Sequence, residues 1–287
     1  MTYRMHPDMR LGEVKLKVSD LERSVRFYEE VVGLKTLHRN GNTAELTADG
    51  QNTLVALKEI PEAVVTKRRS ASGLYHFALL LPTRKDLGLS LRRLIESGIH
   101  IGQSDHFVSE ALYISDPDNN GIEIYRDRPR EEWTYDAEGH VRMGGDPIDW
   151  DGLLQEAEGH PWSGIPAGTT IGHVHFHVAD LAQSERFYCG LLGLDVMADA
   201  TVFMGAQFVA AGGYHHHFGL NIWAGAGAGP APDNATGIAY ATVILPDRAA
   251  LDALLANLRS GGVEAAEGDG AWFVTDPSGI RLRLTVG

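Results

Sequence analysis

The sequence predicts an α+β fold of four βαβββ modules in two tandem halves, and a duplication carries that prediction. Residues 18–34, V-S-D-L-E-R-S-V-R-F-Y-E-E-V-V-G-L, return at 178–194 as V-A-D-L-A-Q-S-E-R-F-Y-C-G-L-L-G-L, nine of 17 positions identical at an offset of 160. The Asp116-Pro117 turn returns at the same offset as Asp276-Pro277, and Leu81-Pro82-Thr83-Arg84 is echoed by Leu245-Pro246-Asp247-Arg248. Self-similarity at a fixed period marks a repeated architecture. The predicted domains are 1–128 and 169–287, joined by a linker over 129–168.

Each half divides again. Residues 12–18 alternate as a strand, and a helix follows with Asp20 as N-cap and Gly33 as its stop. Its apolar residues Leu21, Val25, Tyr28 and Val32 keep a helical period. Strands are expected at 44–46 and 53–57. The second unit opens with a strand at 74–81, continues with a helix near 85–97, and ends with strands at 111–114 and 122–125. Strand, helix and about three strands thus recur as modules one (12–60), two (73–126), three (171–223) and four (237–286). The linker carries Trp133, Trp150 and Trp162 and is too long for a tight connection, so it is expected to pack on the body. Residues 224–237, A-G-A-G-A-G-P-A-P-D-N-A-T-G, read as an exposed connection, with a lid over a site as the alternative.

Composition excludes several classes. The 44% hydrophobic and 22% charged content of the 287 residues is that of a globular protein. A net charge of −13 argues against nucleic acid and anionic membrane surfaces as partners. The single cysteine, Cys189, precludes an internal disulfide and suits a reducing, cytoplasmic location. It lies in a helical pattern and reads as a packing residue. The N-terminal M-T-Y-R-M-H-P-D-M-R lacks a signal-peptide core, and no apolar run is long enough for a membrane helix.

The chemistry concentrates in a few places. Residues 106–125 read H-F-V-S-E-A-L-Y-I-S-D-P-D-N-N-G-I-E-I-Y, two strands around a tight turn. Glu123 shares a face with Tyr125, while Ile122 and Ile124 take the other. The 13 histidines cluster. His173, His175 and His177 alternate along one strand face, and His215-His216-His217 opens another strand. Aligning the modules gives Glu13, His76, His173 and Tyr240 at one first-strand position, with Arg281 set in module four opposite Glu123. A lone His76 would read as a core histidine, a lone Glu123 as a surface residue and a lone Tyr113 as a core aromatic. Together, at equivalent repeat positions, they point to a site. His76, His173 and Glu123 form a two-histidine, one-carboxylate set that suits non-haem Fe(II) oxygen chemistry. Zinc on the same ligands would suit hydrolysis or isomerisation.

On these motifs the chain resembles the vicinal oxygen chelate superfamily, whose paired βαβββ modules form cup-shaped mixed sheets. Within it the chain looks like the extradiol ring-cleaving dioxygenases of the catechol 2,3-dioxygenase type. Their signature corresponds to His106, Leu112, Tyr113, Asp116, Pro117 and Glu123; Asp105 and Asn119 depart from the usual residues beside it. Many two-domain members carry this signature in module four, whereas here it lies in module two. That resembles the shorter Bacillus-type enzymes and implies one site shared by modules two and three.

The resemblance implies Fe(II), with Mn(II) as the alternative, on His76, Glu123 and His173. It gives His216 the acid–base role, with His217 one residue away as the alternative, and sets Tyr113 and His106 on the substrate oxygens. The expected partners are a small aromatic diol and O2, and homo-oligomers are common for such folds. Phe176, Phe218 and Trp223 are candidates for an apolar wall. The rival readings are a glyoxalase-type metal-dependent isomerase or transferase, with Glu13 joining His76 and Glu123 in an N-terminal site, and a non-catalytic small-molecule binding protein.

Overall fold

The computed structural model describes residues 3–287; Met1 and Thr2, the start of the stretch read for a leader, lie outside it. Module one comprises β1 (Arg10–Val18), α1 (Leu21–Phe27), β2 (Lys35–Asn40), β3 (Thr43–Thr47) and β4 (Thr53–Glu59). Module two comprises β5 (Gly73–Leu80), α2 (Arg84–Ser97), β6 (Gly102–Asp105), β7 (Ser109–Ser115) and β8 (Gly121–Asp127), and α3 (Trp150–Glu156) lies in the connection that follows. Module three has β9 (Thr170–His177), α4 (Leu181–Glu185), β10 (Asp195–Ala200), α5 (Thr201–Met204), β11 (Ala206–Ala210) and β12 (Phe218–Asn221). Module four has β13 (Gly237–Leu245), α6 (Arg248–Ser260), β14 (Ala266–Gly268), β15 (Ala271–Thr275) and β16 (Arg281–Val286). Each module is therefore a strand, a helix and three further strands, apart from the short α5. The most polar and exposed of these, β2, is one that sequence alternation leaves unmarked.

The repeated motifs have local physical jobs. Asp20 and Asp180 cap their helices by accepting from the backbone N–H groups of Arg23 and Gln183. The buried tyrosine of each F-Y repeat donates its hydroxyl to the aspartate of a D-P turn, Tyr28 to Asp116 at 3.1 Å and Tyr188 to Asp276 at 3.2 Å. Each aspartate also accepts from the backbone N–H groups two and four residues on. Asn119 sits in that turn at φ +67°, a region Asn enters at little cost, and Gly279 takes the same place at φ +85°.

The sheets pair the modules across the two halves. One eight-stranded sheet runs β14-β15-β16-β13-β1-β4-β3-β2 and joins modules four and one. The other runs β10-β11-β12-β9-β5-β8-β7-β6 and joins modules three and two. At each centre the first strands of two modules lie antiparallel, β1 with β13 and β5 with β9. The halves are thus interlocked through both sheets, while the tyrosine–aspartate contacts tie modules within each half. One continuous apolar core, including Tyr28, Phe77, Phe176, Tyr188 and Phe218, lies against the sheets. Phe176 and Phe218 stack on each other at 5.9 Å in this core, on the face of β9 opposite its histidines, so neither forms the apolar wall expected of them.

The connection between the halves packs on the body, burying Trp133. Residues 224–236 do not cover the histidine-rich cavity. They pair with the 60–72 loop through Val64–Ala235 and Ser72–Pro230 bridges, beside a separate basic cavity of about 460 Å³. Among the described residues no helix is long and apolar enough to cross a membrane.

Candidate metal centre

Three adjacent strands build the centre. On β8 Glu123 stands beside Ala78 of β5, and on the other side of Ala78 stands His173 of β9. His76 lies two residues from Ala78 along β5 and so shares its face. The methyl group of Ala78 leaves the space between these longer side chains free. His76 Nε2 and His173 Nε2 each lie 3.0 Å from Glu123 Oε2, and 3.3 Å from each other. All three residues are buried, and no Lys or Arg pairs with Glu123 among the described residues. A buried carboxylate facing two imidazoles needs a cation to offset its desolvation. Metal bonds of ~2.1 Å at right angles would set ligand atoms ~3.0 Å apart. The spacing and chemistry of the donors fit one divalent ion with further positions open.

Protonation suits that use. Burial pushes His173 down to about 4, against the opposing pull of Glu123, and holds His175 and His216 well below the usual histidine range. Burial by itself raises the Glu123 carboxyl, but the facing His173 and His76 more than reverse this and hold it well below the carboxylate range. At neutral pH these imidazoles offer lone pairs.

Stability should follow. His217 is pushed down to about 3 by burial, so its neutral form favours the folded state above pH 6.5, and that stability is lost as pH falls toward 3. Asp116 and Asp276, raised to about 6 chiefly by burial, act oppositely and lose stability as pH rises from 3.8 to about 6. The lowered histidines outnumber them. Melting temperature of metal-free protein is expected to fall from pH 6.5 to 4, and less steeply in His217→Gln. One pKa unit is worth ~1.4 kcal/mol, so the His217 contribution is on the order of several kcal/mol. Equal slopes for the two proteins would contradict this.

Around the triad, the hairpin β6–β7 supplies His106 and Tyr113. His106 Nδ1–H donates to Gly144 O at 2.7 Å, which leaves Nε2 to accept from the Tyr113 hydroxyl at 2.6 Å. Burial and the Glu123 charge raise Tyr113 well above the usual tyrosine range, so it stays a phenol. The His216 ring lies 4.1 Å from that of His173 and lines the cavity. The ring of His217 does not line it; its Nδ1 accepts from Ala211 N–H.

The cavity over the triad measures about 690 Å³. Its wall includes residues that the sequence left unmarked: Tyr75, Phe208, and Val141, Met143 and Gly144 of the linker. Of the three expected wall aromatics only Trp223 lines it. His175 also lines it. The strand periodicity could have singled out Tyr75 as a neighbour of His76, but no local signal marks the linker residues.

The other sheet carries the counterpart of this centre without its chemistry. Thr242 faces Arg283 across β13 and β16 as Ala78 faces Glu123 across β5 and β8. The module-four counterpart of Glu123 is therefore Arg283 rather than Arg281, because the two D-P turns have the same bonded length. The Tyr240 hydroxyl donates to Glu13 Oε1 at 2.6 Å, and Arg283 Nη1 lies 3.9 Å from the same oxygen. A carboxylate, a phenol and a guanidinium satisfy one another there. Glu13 consequently belongs to the other sheet, and the N-terminal grouping of Glu13 with His76 and Glu123 is not formed.

Comparison with known proteins follows the same lines. The model of the Glyoxalase/Bleomycin resistance protein/Dioxygenase superfamily matches residues 10–124 and 170–284. The catechol-2,3-dioxygenase of Bacillus subtilis (strain 168) is 50% identical over 283 residues, 98% of this chain and 99% of the relative. Among solved structures, a Bacillus subtilis protein superposes with a TM-score of 0.67 at 11% identity, over 99% of this chain and 86% of that one. Glyoxalase I of Zea mays does so with a TM-score of 0.56 at 17% identity, over 96% and 92%. The two structural likenesses concern the fold alone.

Proposed function

The chain belongs to the glyoxalase/bleomycin resistance protein/dioxygenase superfamily, and from that membership we propose that it is an extradiol ring-cleaving dioxygenase, opening a catechol with O2 to a muconic semialdehyde. The observation that carries this reading is the convergence of His76, Glu123 and His173 at 3.0–3.3 Å beside a cavity lined by His76, Glu123, His216, His106 and Tyr113. The 50% identity to a catechol-2,3-dioxygenase supports it. Fe(II) is the proposed metal, since two histidines and a carboxylate with open positions suit non-haem iron. Held by His76, Glu123 and His173, it would supply Lewis-acid and redox chemistry.

The protein's own residues do the rest. The cavity wall of Tyr75, Phe208, Trp223, Val141 and Met143 holds the aromatic ring and excludes water. His216, neutral by burial, takes a phenolic proton from the diol and later returns it. Tyr113 and His106 bind substrate oxygen: Tyr113, a neutral phenol, turns its one proton from His106 Nε2 to the substrate. The lone, half-buried Cys189 supports a reducing compartment, and the cytoplasm is the proposed location.

The test is oxygen uptake with catechol by anaerobically Fe(II)-loaded protein, followed beside the absorbance of the yellow semialdehyde. Equimolar uptake and yellow product are expected; parallel loading with Mn(II) identifies the working metal. Uptake with a colourless muconate would reject the cleavage position. No uptake over several catechols by metal-loaded protein would overturn the reading.

A further inference from the structure

Beyond the cavity, β8 continues its histidine-facing side from Glu123 through Tyr125 to Asp127. Asp127 reaches across to the histidine run of module three. Its Oδ1 lies 2.8 Å from His215 Nε2, and its Oδ2 accepts from the Tyr214 hydroxyl at 2.9 Å. His215 Nδ1 in turn lies 2.7 Å from His216 Nδ1, and the Tyr125 and Tyr214 hydroxyls are 2.6 Å apart. His215 is wholly buried, with the Trp133 ring of the linker 5.3 Å away. Gly172 makes room for the array, since a Cβ there would run into the Tyr125 hydroxyl.

The acceptor-only carboxylate fixes the donors on both its oxygens, and with neutral imidazoles the rest of this chain of bonds follows. His215 must donate from Nε2, so in its neutral form Nδ1 is bare. His216 must then carry its proton on Nδ1 and donate it to His215. That leaves His216 Nε2, which has no protein partner among the described residues, as the bare nitrogen of a ring lining the cavity. Tyr214, giving its proton to Asp127, can only accept from Tyr125. An unfixed imidazole would divide between two tautomers, only one of which has its lone pair on Nε2.

We infer that Asp127 and His215 are positioning residues that lock His216 in the Nδ1–H tautomer and so keep a basic Nε2 directed to the substrate. A second module thereby sets the tautomer of the first one's base: Asp127 ends module two and His216 belongs to module three. The inference rests on the reading of His216 as the acid–base group, but its signature, the tautomer, can be read without turnover.

The experiment uses the full chain loaded with diamagnetic Zn(II) and labelled with 15N-histidine, with long-range 1H–15N correlation giving the tautomer of each ring. Wild-type His216 is expected as a single Nδ1–H form. In Asp127→Ala it should become a mixture, with metal content unchanged. In the Fe(II)-loaded enzyme, kcat for catechol should fall at least ~10-fold with KM within about threefold, the scale of outer-shell losses. Asp127→Glu should restore the single tautomer and most of kcat, which a general loss of packing would not allow. Wild-type His216 protonated on Nε2, or Asp127→Ala with the tautomer unchanged, would overturn the proposal. A fully active His216→Asn would remove the acid–base reading while leaving the tautomer result intact, so the two failures are distinguishable.

Discussion

Glu123→Ala is expected to abolish tight metal binding and, with it, turnover. Glu123 supplies the only carboxylate among the three converging donors, and both imidazole nitrogens lie 3.0 Å from its Oε2. Loss of an outer-shell partner of a ligand costs ~10–100-fold in affinity or activity, and loss of the ligand itself costs more. Two imidazoles would remain, with no carboxylate charge to offset a divalent cation. Metal analysis of dialysed protein reads the outcome directly. Glu123→Gln separates charge from shape, since it keeps the volume and one carbonyl oxygen but removes the charge; it is expected to bind weakly as well. Retained iron and activity in Glu123→Ala would sink the metal centre as proposed.

The second large effect is expected at His216. His216→Asn should lower kcat for catechol by ~10²–10⁴-fold, the usual scale for losing a general acid–base group, while metal content stays that of the wild type. That corresponds to ~3–5 kcal/mol of barrier. The contrast with His217→Asn is the deciding part. His217 bonds to Ala211 N–H and does not line the cavity, so its replacement should leave kcat within a few-fold. A large kcat loss at His217 with little at His216 would move the acid–base role by one residue.

The two effects draw on different kinds of information. Alternation along a strand told which side chains share a face: His173 with His175, and Glu123 with Tyr125 away from Ile122 and Ile124. It also exposed the weakness of a lone residue, since His76 acquires meaning only from its counterpart His173. Alternation also put Phe176, which falls between His175 and His177, on the face opposite the histidines, against the wall role expected of it. Phe176 and Phe218 lie near the histidines in sequence but on the other face of their strands, in the core. Arg281, which opens the last strand, is not the counterpart of Glu123. The sheet register assigns Arg283 to that position, while Arg281 stacks on the Phe273 ring at 4.1 Å.

By itself the sequence determined the fourfold module, its helix caps and D-P turns, and the residue types that offer a metal two imidazoles and a carboxylate. These rest on local rules: the period of strand and helix, the φ that a turn demands, and the atoms a side chain can donate. Only the tertiary structure decided that module two joins module three and module one joins module four. The same is true of the 129–168 segment walling the cavity through Val141, Met143 and Gly144, and of Asp127 reaching His215. Those contacts join residues from 38 positions apart, as His106 and Gly144, to 227, as Glu13 and Tyr240. Strand edges and apolar surfaces admit many such partners, and the choice falls to whichever arrangement buries the shared core and satisfies the buried polar groups at once.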